Sequence, residues 1–261
     1  MIKLNEQIIE QNHFPDGTLL MKCKPEQGKI GTIIWQYESD AELFALYSLK
    51  KHLDCVLPGW NVYLFLPYIP NARQDRVKSE EDIFTLKYFA EIINSLKFER
   101  VYVLDPHSSV SEALIENVKV ISPTEYIANA IVECDPDLIF YPDEGAMKRY
   151  SSMAEKEYSF GIKKRDWATG KIEGFDVAGC TDKIKGSRIL IVDDICSRGG
   201  TFYHSAKKLK ELGAKEIYLY ITHCENTILD GELLTSGLIE KVYTTNSIFT
   251  KEHEKIKIFE L

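Results

Sequence analysis

Short apolar runs rich in β-branched and aromatic residues recur along this chain, at Thr32–Trp35, Val62–Pro67, Val101–Leu104, Leu138–Tyr141, Arg188–Val192 and Ile217–Thr222. Their length and composition suit buried strands. Between them lie segments with helical spacing, such as Phe84, Tyr88, Phe89, Ile92, Ile93 and Leu96, or Phe202, Ala206, Leu209 and Leu212 before a stop at Gly213. Strands that alternate with helices dictate an α/β architecture with parallel sheets and right-handed crossovers. Ligands in such folds bind beyond the C-terminal ends of the strands. Here those ends are Leu66-Pro67-Tyr68, Asp105-Pro106-His107-Ser108, the stretch from Tyr141 through Asp143 to Gly145, and Asp193-Asp194. Acids and a histidine gather at them.

Length and charge narrow the function. A chain of 261 residues holds one large or two small α/β domains, since domains commonly contain about 100–150 residues. A formal net charge of −8 argues against general nucleic-acid binding, which shows as a basic stripe. An anionic substrate on an acidic protein needs local help from Mg²⁺, backbone amides or a few basic side chains. The N-terminal segment lacks a basic start followed by an apolar run, and no stretch reaches the ~18 apolar residues of a membrane span. The expectation is a cytoplasmic protein with no membrane partner. Six cysteines without a CxxC pair read as reduced thiols.

The most informative segment runs from Arg188 through Asp193, Asp194, Ser197, Arg198, Gly199, Gly200 and Thr201 into the helix from Phe202. An apolar strand ends in two carboxylates, and a glycine turn then opens a helix. Such a turn presents backbone N–H groups, with the Ser197 and Thr201 hydroxyls, to a phosphate at the helix N-terminus. Asp193 and Asp194 are placed to accept hydrogen bonds from two ribose hydroxyls. The plainer alternative is a tight turn whose acids cap the helix; the combination of two acids, a hydroxyl-bearing turn and a strand-to-helix context speaks against it.

This segment resembles the phosphoribosyl-binding loop of the type I phosphoribosyltransferase fold. Pro67-Tyr68 followed by Ala72-Arg73-Gln74-Asp75-Arg76, then Leu104-Asp105-Pro106-His107-Ser108, narrow the resemblance to the ribose-phosphate pyrophosphokinase (PRPP synthetase) family. Phe14-Pro15-Asp16-Gly17, Pro142-Asp143 through Lys148-Arg149, Gly161 through Lys163-Lys164-Arg165, and Ile221-Thr222-His223 match in the same order. The resemblance implies two tandem phosphoribosyltransferase-like domains, 1–123 and 124–261, each a mostly parallel sheet flanked by helices, with the active site between them. It also implies that a final strand, Ile256–Leu261, packs back on the first domain.

The activity implied is in-line attack of the C1 hydroxyl of a ribose 5-phosphate unit on the β-phosphorus of ATP, with AMP leaving. Such catalysis rests on positioning and charge neutralisation. By resemblance His107 and Asp143 lie near Mg²⁺ with Asp105 in support, and an oxygen ligand suits that hard ion. Lys163 and Arg165 correspond to a mobile catalytic basic pair, on a turn-rich flap that continues from Asp166. Arg73, Gln74 and His107 contact ATP, and Phe14 and Asp16 come from a loop at the adenine that a neighbouring subunit can supply. A homo-oligomer, a dimer or higher, follows. Taken alone, Lys163-Lys164-Arg165 is a solvated hairpin and Asp16-Gly17 a turn.

Three departures from the family stand out. The family carries Asp-Thr where this chain has Ser197-Arg198, which places a guanidinium, suited to bidentate phosphate recognition, at the mouth of the phosphate site. That opens the site to an acceptor with a second phosphate, so the expected acceptor is either ribose 5-phosphate, giving PRPP, or ADP-ribose, with a role in NAD resynthesis. Thr18 stands where the family often has glutamate, and the acid that follows ARQDR at short range is lost near Lys78. Phe14 lies so near the start that roughly twenty residues of the family's N-terminal strand and helix are expected to be absent. Two other classes compete, a phosphoribosyltransferase and an inactive regulatory homologue. ARQDR and the basic pair oppose the first; the four chemical positions Lys163, Arg165, His107 and Asp143 oppose the second.

Overall fold

The computed structural model describes residues 1–25, 30–165 and 172–261, without the side chains of 163–165 and 172–175. The chain forms two compact units, Met1–Ser122 and Pro123–Leu261.

The first unit opens with strands β1 (Ile2–Leu4) and β2 (Gln7–Ile8), then a separate hairpin of β3 (Gln11–His13) and β4 (Leu19–Met21). There follow β5 (Ile30–Trp35), α1 (Ala41–Val56), β6 (Asn61–Leu66), α2 (Thr85–Ser95), β7 (Arg100–Leu104), α3 (Ser109–Leu114) and β8 (Val118–Ile121). The six-stranded sheet has the order β2-β1-β5-β6-β7-β8, parallel from β5 onward. Alternation along β5 and β6 buries Ile33, Trp35, Val62, Leu64 and Leu66, the period-two signature of strands with one more deeply covered face. Helix α2 buries Leu86, Phe89, Ala90 and Ile93, spaced three and four apart as a helical stripe requires.

The second unit comprises α4 (Thr124–Cys134), β9 (Leu138–Tyr141), α5 (Glu144–Tyr150), β10 (Tyr158–Arg165), β11 (Ile172–Gly179), β12 (Arg188–Cys196), α6 (Gly200–Glu211), β13 (Glu216–Cys224), β14 (Lys241–Thr245) and β15 (Ile256–Phe259). Its sheet order is β11-β10-β9-β12-β13-β14-β15. Both faces are covered: Ile189 and Ile191 pack in one core, Leu190 and Val192 in another. A strand buried on both sides reads as a continuous apolar run, which is why Arg188–Val192 stood out in the sequence.

Two expectations need correction. The β12 strand does not stop before the acids; it runs on to Cys196, because Asp193, Ile195 and Cys196 continue the parallel register with Ile221, His223 and Cys224 of β13. The last strand, expected on the first domain, is the edge of the second unit's own sheet. It pairs with β14 from Val242↔Ile256 to Thr245↔Phe259, and Phe259 stacks on Tyr243 with ring centroids 6.0 Å apart.

Candidate active site

After β9 the chain crosses to β10 on one side, and after β12 it crosses to β13 on the other. The strand order reverses between β9 and β12, and such a switch point opens a crevice at the carboxyl ends of the strands. Asp143 follows β9 there, and the segment from Ser197 to Gly199 follows β12.

The turn is built around Gly199, whose φ of +80° lies in the left-handed region that favours glycine. A Cβ on Gly199 would also meet Leu233 Cδ2 at 2.9 Å. Gly199 occupies the N-cap of α6 and offers no side-chain cap of its own, so the first N–H groups of the helix begin at a bare residue and have no partner within the helix. Gly200 has nothing within 4 Å of a would-be Cβ, and Arg198, Gly200 and Thr201 are exposed. A helix N-terminus that follows an exposed glycine turn can present N–H groups to an anion.

Its two acids differ. Asp194 is 5% exposed, accepts the Ile195 N–H at 2.7 Å with Oδ1, and meets Arg149 Nη1 at 2.6 Å with Oδ2. Asp193 is half-buried, and its Oδ1 accepts the Asp194 N–H at 3.0 Å. Burial, with the charges of Asp194 and Asp143, pushes the Asp193 carboxyl well above the ordinary carboxylate range, and Arg149 opposes that push. Asp143 is the N-cap of α5, where its Oδ1 accepts the Ala146 N–H at 3.1 Å. Asp143, Asp193, Asp194 and Arg149 therefore form one charge cluster. Nothing in the sequence marks Arg149 as the partner of Asp194. Neighbouring Lys148 was equally eligible from the sequence; it turns outward to Glu144 at 3.7 Å, because adjacent helical residues face directions about 100° apart.

In the first unit a second cluster joins the ends of β6 and β7. Asp75 is 6% exposed and meets Arg76 through Nε at 2.7 Å and Nη2 at 3.0 Å. The Arg76 guanidinium holds the Asp75 carboxyl down to about 2 against its burial, helped by the Ser108 hydroxyl and the charge of His107. ARQDR and the Asp105-to-Ser108 segment are thus one construction, with Asp75, unassigned from the sequence, as its link. Asp105 is buried with φ of 40°, and His107 is half-buried. Arg73 is exposed, and Gln74 accepts the Thr85 hydroxyl at 2.7 Å.

Phe14 and Asp16 form the tip between β3 and β4. Phe14 is 49% exposed, and Asp16 Oδ1 accepts both the N–H and the hydroxyl of Thr18. The Thr18 hydroxyl lowers the Asp16 pKa. Thr18, noted as a departure, thereby fixes the turn. Lys163 and Arg165 fall in β10, opposite Phe175 and Ile172 of β11; their side chains, and the flap residues from Asp166, lie outside the described residues. Among the described residues no group of three or more His, Cys, Asp and Glu forms a metal nest, and no helix is long and apolar enough to cross a membrane.

No protein-family model matches the chain. It is 32% identical over 260 residues to the ribose-phosphate pyrophosphokinase of Pyrococcus abyssi, covering 96% of this chain and 87% of that one. The namesake from Thermococcus kodakarensis is 30% identical over 252 residues, covering 93% and 86%. Among solved structures, phosphoribosylpyrophosphate synthetase from Mycobacterium smegmatis superimposes with a TM-score of 0.75 at 19% identity, covering 97% of this chain and 86% of that one, which shows a shared fold. With that extent of identity across both units, the chain belongs to the ribose-phosphate pyrophosphokinase family.

Proposed function

We propose that this transferase moves the β,γ-diphosphate of ATP to the C1 hydroxyl of a ribose 5-phosphate unit and releases AMP. The observation that carries the reading is the β12–α6 junction, where a left-handed Gly199 turns a helix N-terminus outward beside two acids. The 5′-phosphate sits on the Gly199–Thr201 amides, with the Ser197 and Thr201 hydroxyls, and the ribose hydroxyls face Asp193 and Asp194. Arg73, Gln74 and His107, with Phe14 and Asp16 of the hairpin tip, hold ATP.

In the reaction the C1 oxygen forms a bond to the β-phosphorus, the bond from that phosphorus to the α–β bridging oxygen breaks, AMP carries the electron pair away, and the proton of the C1 hydroxyl passes to solvent. Lys163 and Arg165 neutralise the charge on the moving group. Mg²⁺ commonly takes one or two carboxylates and completes its shell with substrate phosphates. Asp143 would be the oxygen donor of the second unit, and His107, backed by Asp105, the donor of the first, with nucleotide phosphates completing the shell. Bound Mg²⁺ supplies charge neutralisation to those phosphates. A cytoplasmic homo-oligomer is part of this reading.

Arg198 favours a wider acceptor range. Its side chain is exposed at the loop mouth, where a guanidinium suits a second phosphate. ADP-ribose offers one, along with a free C1 hydroxyl, and its product belongs to NAD resynthesis. The test is AMP release from ATP and Mg²⁺ with ribose 5-phosphate and with ADP-ribose in parallel, the sugar product being identified by mass. Turnover of ribose 5-phosphate alone refutes the ADP-ribose reading, exclusive use of ADP-ribose assigns Arg198 to the second phosphate, and no AMP with either refutes the diphosphotransferase.

A further inference from the structure

Behind the anion loop, the segment from Glu225 to Leu233 crosses three of its residues in turn. The Glu225 N–H donates to the Cys196 carbonyl at 2.8 Å. Gly231 lies against Arg198: a Cβ added there would meet the Arg198 carbonyl oxygen at 2.0 Å, its carbon at 2.9 Å and its Cα at 3.3 Å. Leu233, fully buried, fills the space a Cβ on Gly199 would need, at 2.9 Å from Cδ2 and 3.0 Å from Cβ. The backbone of Gly231 does not itself require glycine, since its φ of −95° is open to any residue. Only the close approach to Arg198 excludes a side chain.

That approach has a direction. The Arg198 oxygen is the atom nearest the position a Gly231 Cβ would take and its carbon the next, so the carbonyl oxygen is turned toward that space. In a planar trans peptide the following N–H points the opposite way. The Gly199 N–H is therefore turned away from the Gly231 segment. Gly231 is itself anchored, donating its N–H to Ile228 at 3.2 Å at the end of the short turn Asn226–Asp230.

We propose that Gly231 is a positioning residue for the sugar-phosphate site: by leaving the space of a Cβ to the Arg198 carbonyl, it sets the Arg198–Gly199 peptide so that the Gly199 N–H serves the phosphate, while Leu233 keeps Gly199 seated. This rests on the reading of the β12–α6 loop as the phosphate cradle. A methyl group at Gly231 displaces the carbonyl and rotates the peptide, so the donor is lost without any change in the charged residues of the site.

The test compares wild-type protein with Gly231→Ala, measuring KM for ribose 5-phosphate, ADP-ribose and ATP, and the thermal protection each ligand gives. The acceptor's KM rises about tenfold or more, the loss expected for one hydrogen bond to a charged group, while the KM for ATP stays within about twofold by the same free-energy scale. A folded Gly231→Ala protein whose acceptor KM matches the wild type overturns the inference, as does an equal rise for ATP and acceptor. If Gly231→Ala does not fold, Leu233→Ala decides, since it loosens the seat of Gly199 without a clash; the acceptor-selective rise is expected there too, and its absence overturns the proposal. A wild-type protein that neither turns over nor is protected by either acceptor overturns the functional reading itself, and this inference with it.

Discussion

Replacing Arg149 with methionine keeps most of the side-chain volume and removes the guanidinium that meets Asp194 at 2.6 Å. The Asp194 side chain is 7% exposed and that of Arg149 32%. Breaking a fully buried pair by deleting one partner costs about 3–5 kcal/mol, because the remaining charge is stranded. With the guanidinium one-third exposed, water reaches the gap and the cost falls to about 2 kcal/mol. For a domain of this size that lowers Tm by about 6 °C, measured by calorimetry without ligands. Adding Asp194→Asn removes the stranded charge while keeping an acceptor for the Ile195 N–H. The double variant is therefore more stable than Arg149→Met alone, and the cycle isolates the coupling. A single variant that loses less than about 0.5 kcal/mol, within the range of an ordinary surface change, or a double variant no better than the single, refutes the reasoning.

Gly199→Ala combines a φ of +80° with a contact to Leu233 at 2.9 Å, so it loses about 1–3 kcal/mol in thermal unfolding and most acceptor binding in a titration calorimeter. Thr18→Val removes the hydroxyl that orients Asp16; the KM for ATP rises while Tm stays near the wild-type value, and a change in the acceptor's KM alone speaks against an adenine-side role. Asp75 has a folded pKa of about 2, below its unfolded value, so it contributes stability above about pH 4 that is lost as pH falls toward 2. Acid titration of stability in EDTA shows that loss in the wild type, and Asp75→Asn flattens it.

Much of the architecture is written in local pattern. The buried strands of the second unit announce themselves because both faces are covered, so Leu138–Tyr141 and Ile189–Val192 are unbroken apolar runs. The β1 and β2 strands and the hairpin of β3 and β4 span only two or three residues each, too short for any period to register. The reach of β12 to Cys196 was hidden for a different reason: two adjacent aspartates argue against a strand by propensity, and register with β13 overrides them.

The candidate site divides along the same line. Residue types and order in the sequence determined the candidate segments: a glycine turn after a strand, paired acids, ARQDR and Asp105 to Ser108 keep their identity however the chain folds. Tertiary structure alone decided which of those groups touch. It chose Arg149 over Lys148 as the partner of Asp194, tied Asp75 to Ser108, and set Gly231 and Leu233 behind the β12–α6 turn. The physical reason is range: turn chemistry and periodicity act within a few residues, whereas the direction of a carboxylate or a peptide plane depends on neighbours more than thirty positions away along the chain, which no local pattern records.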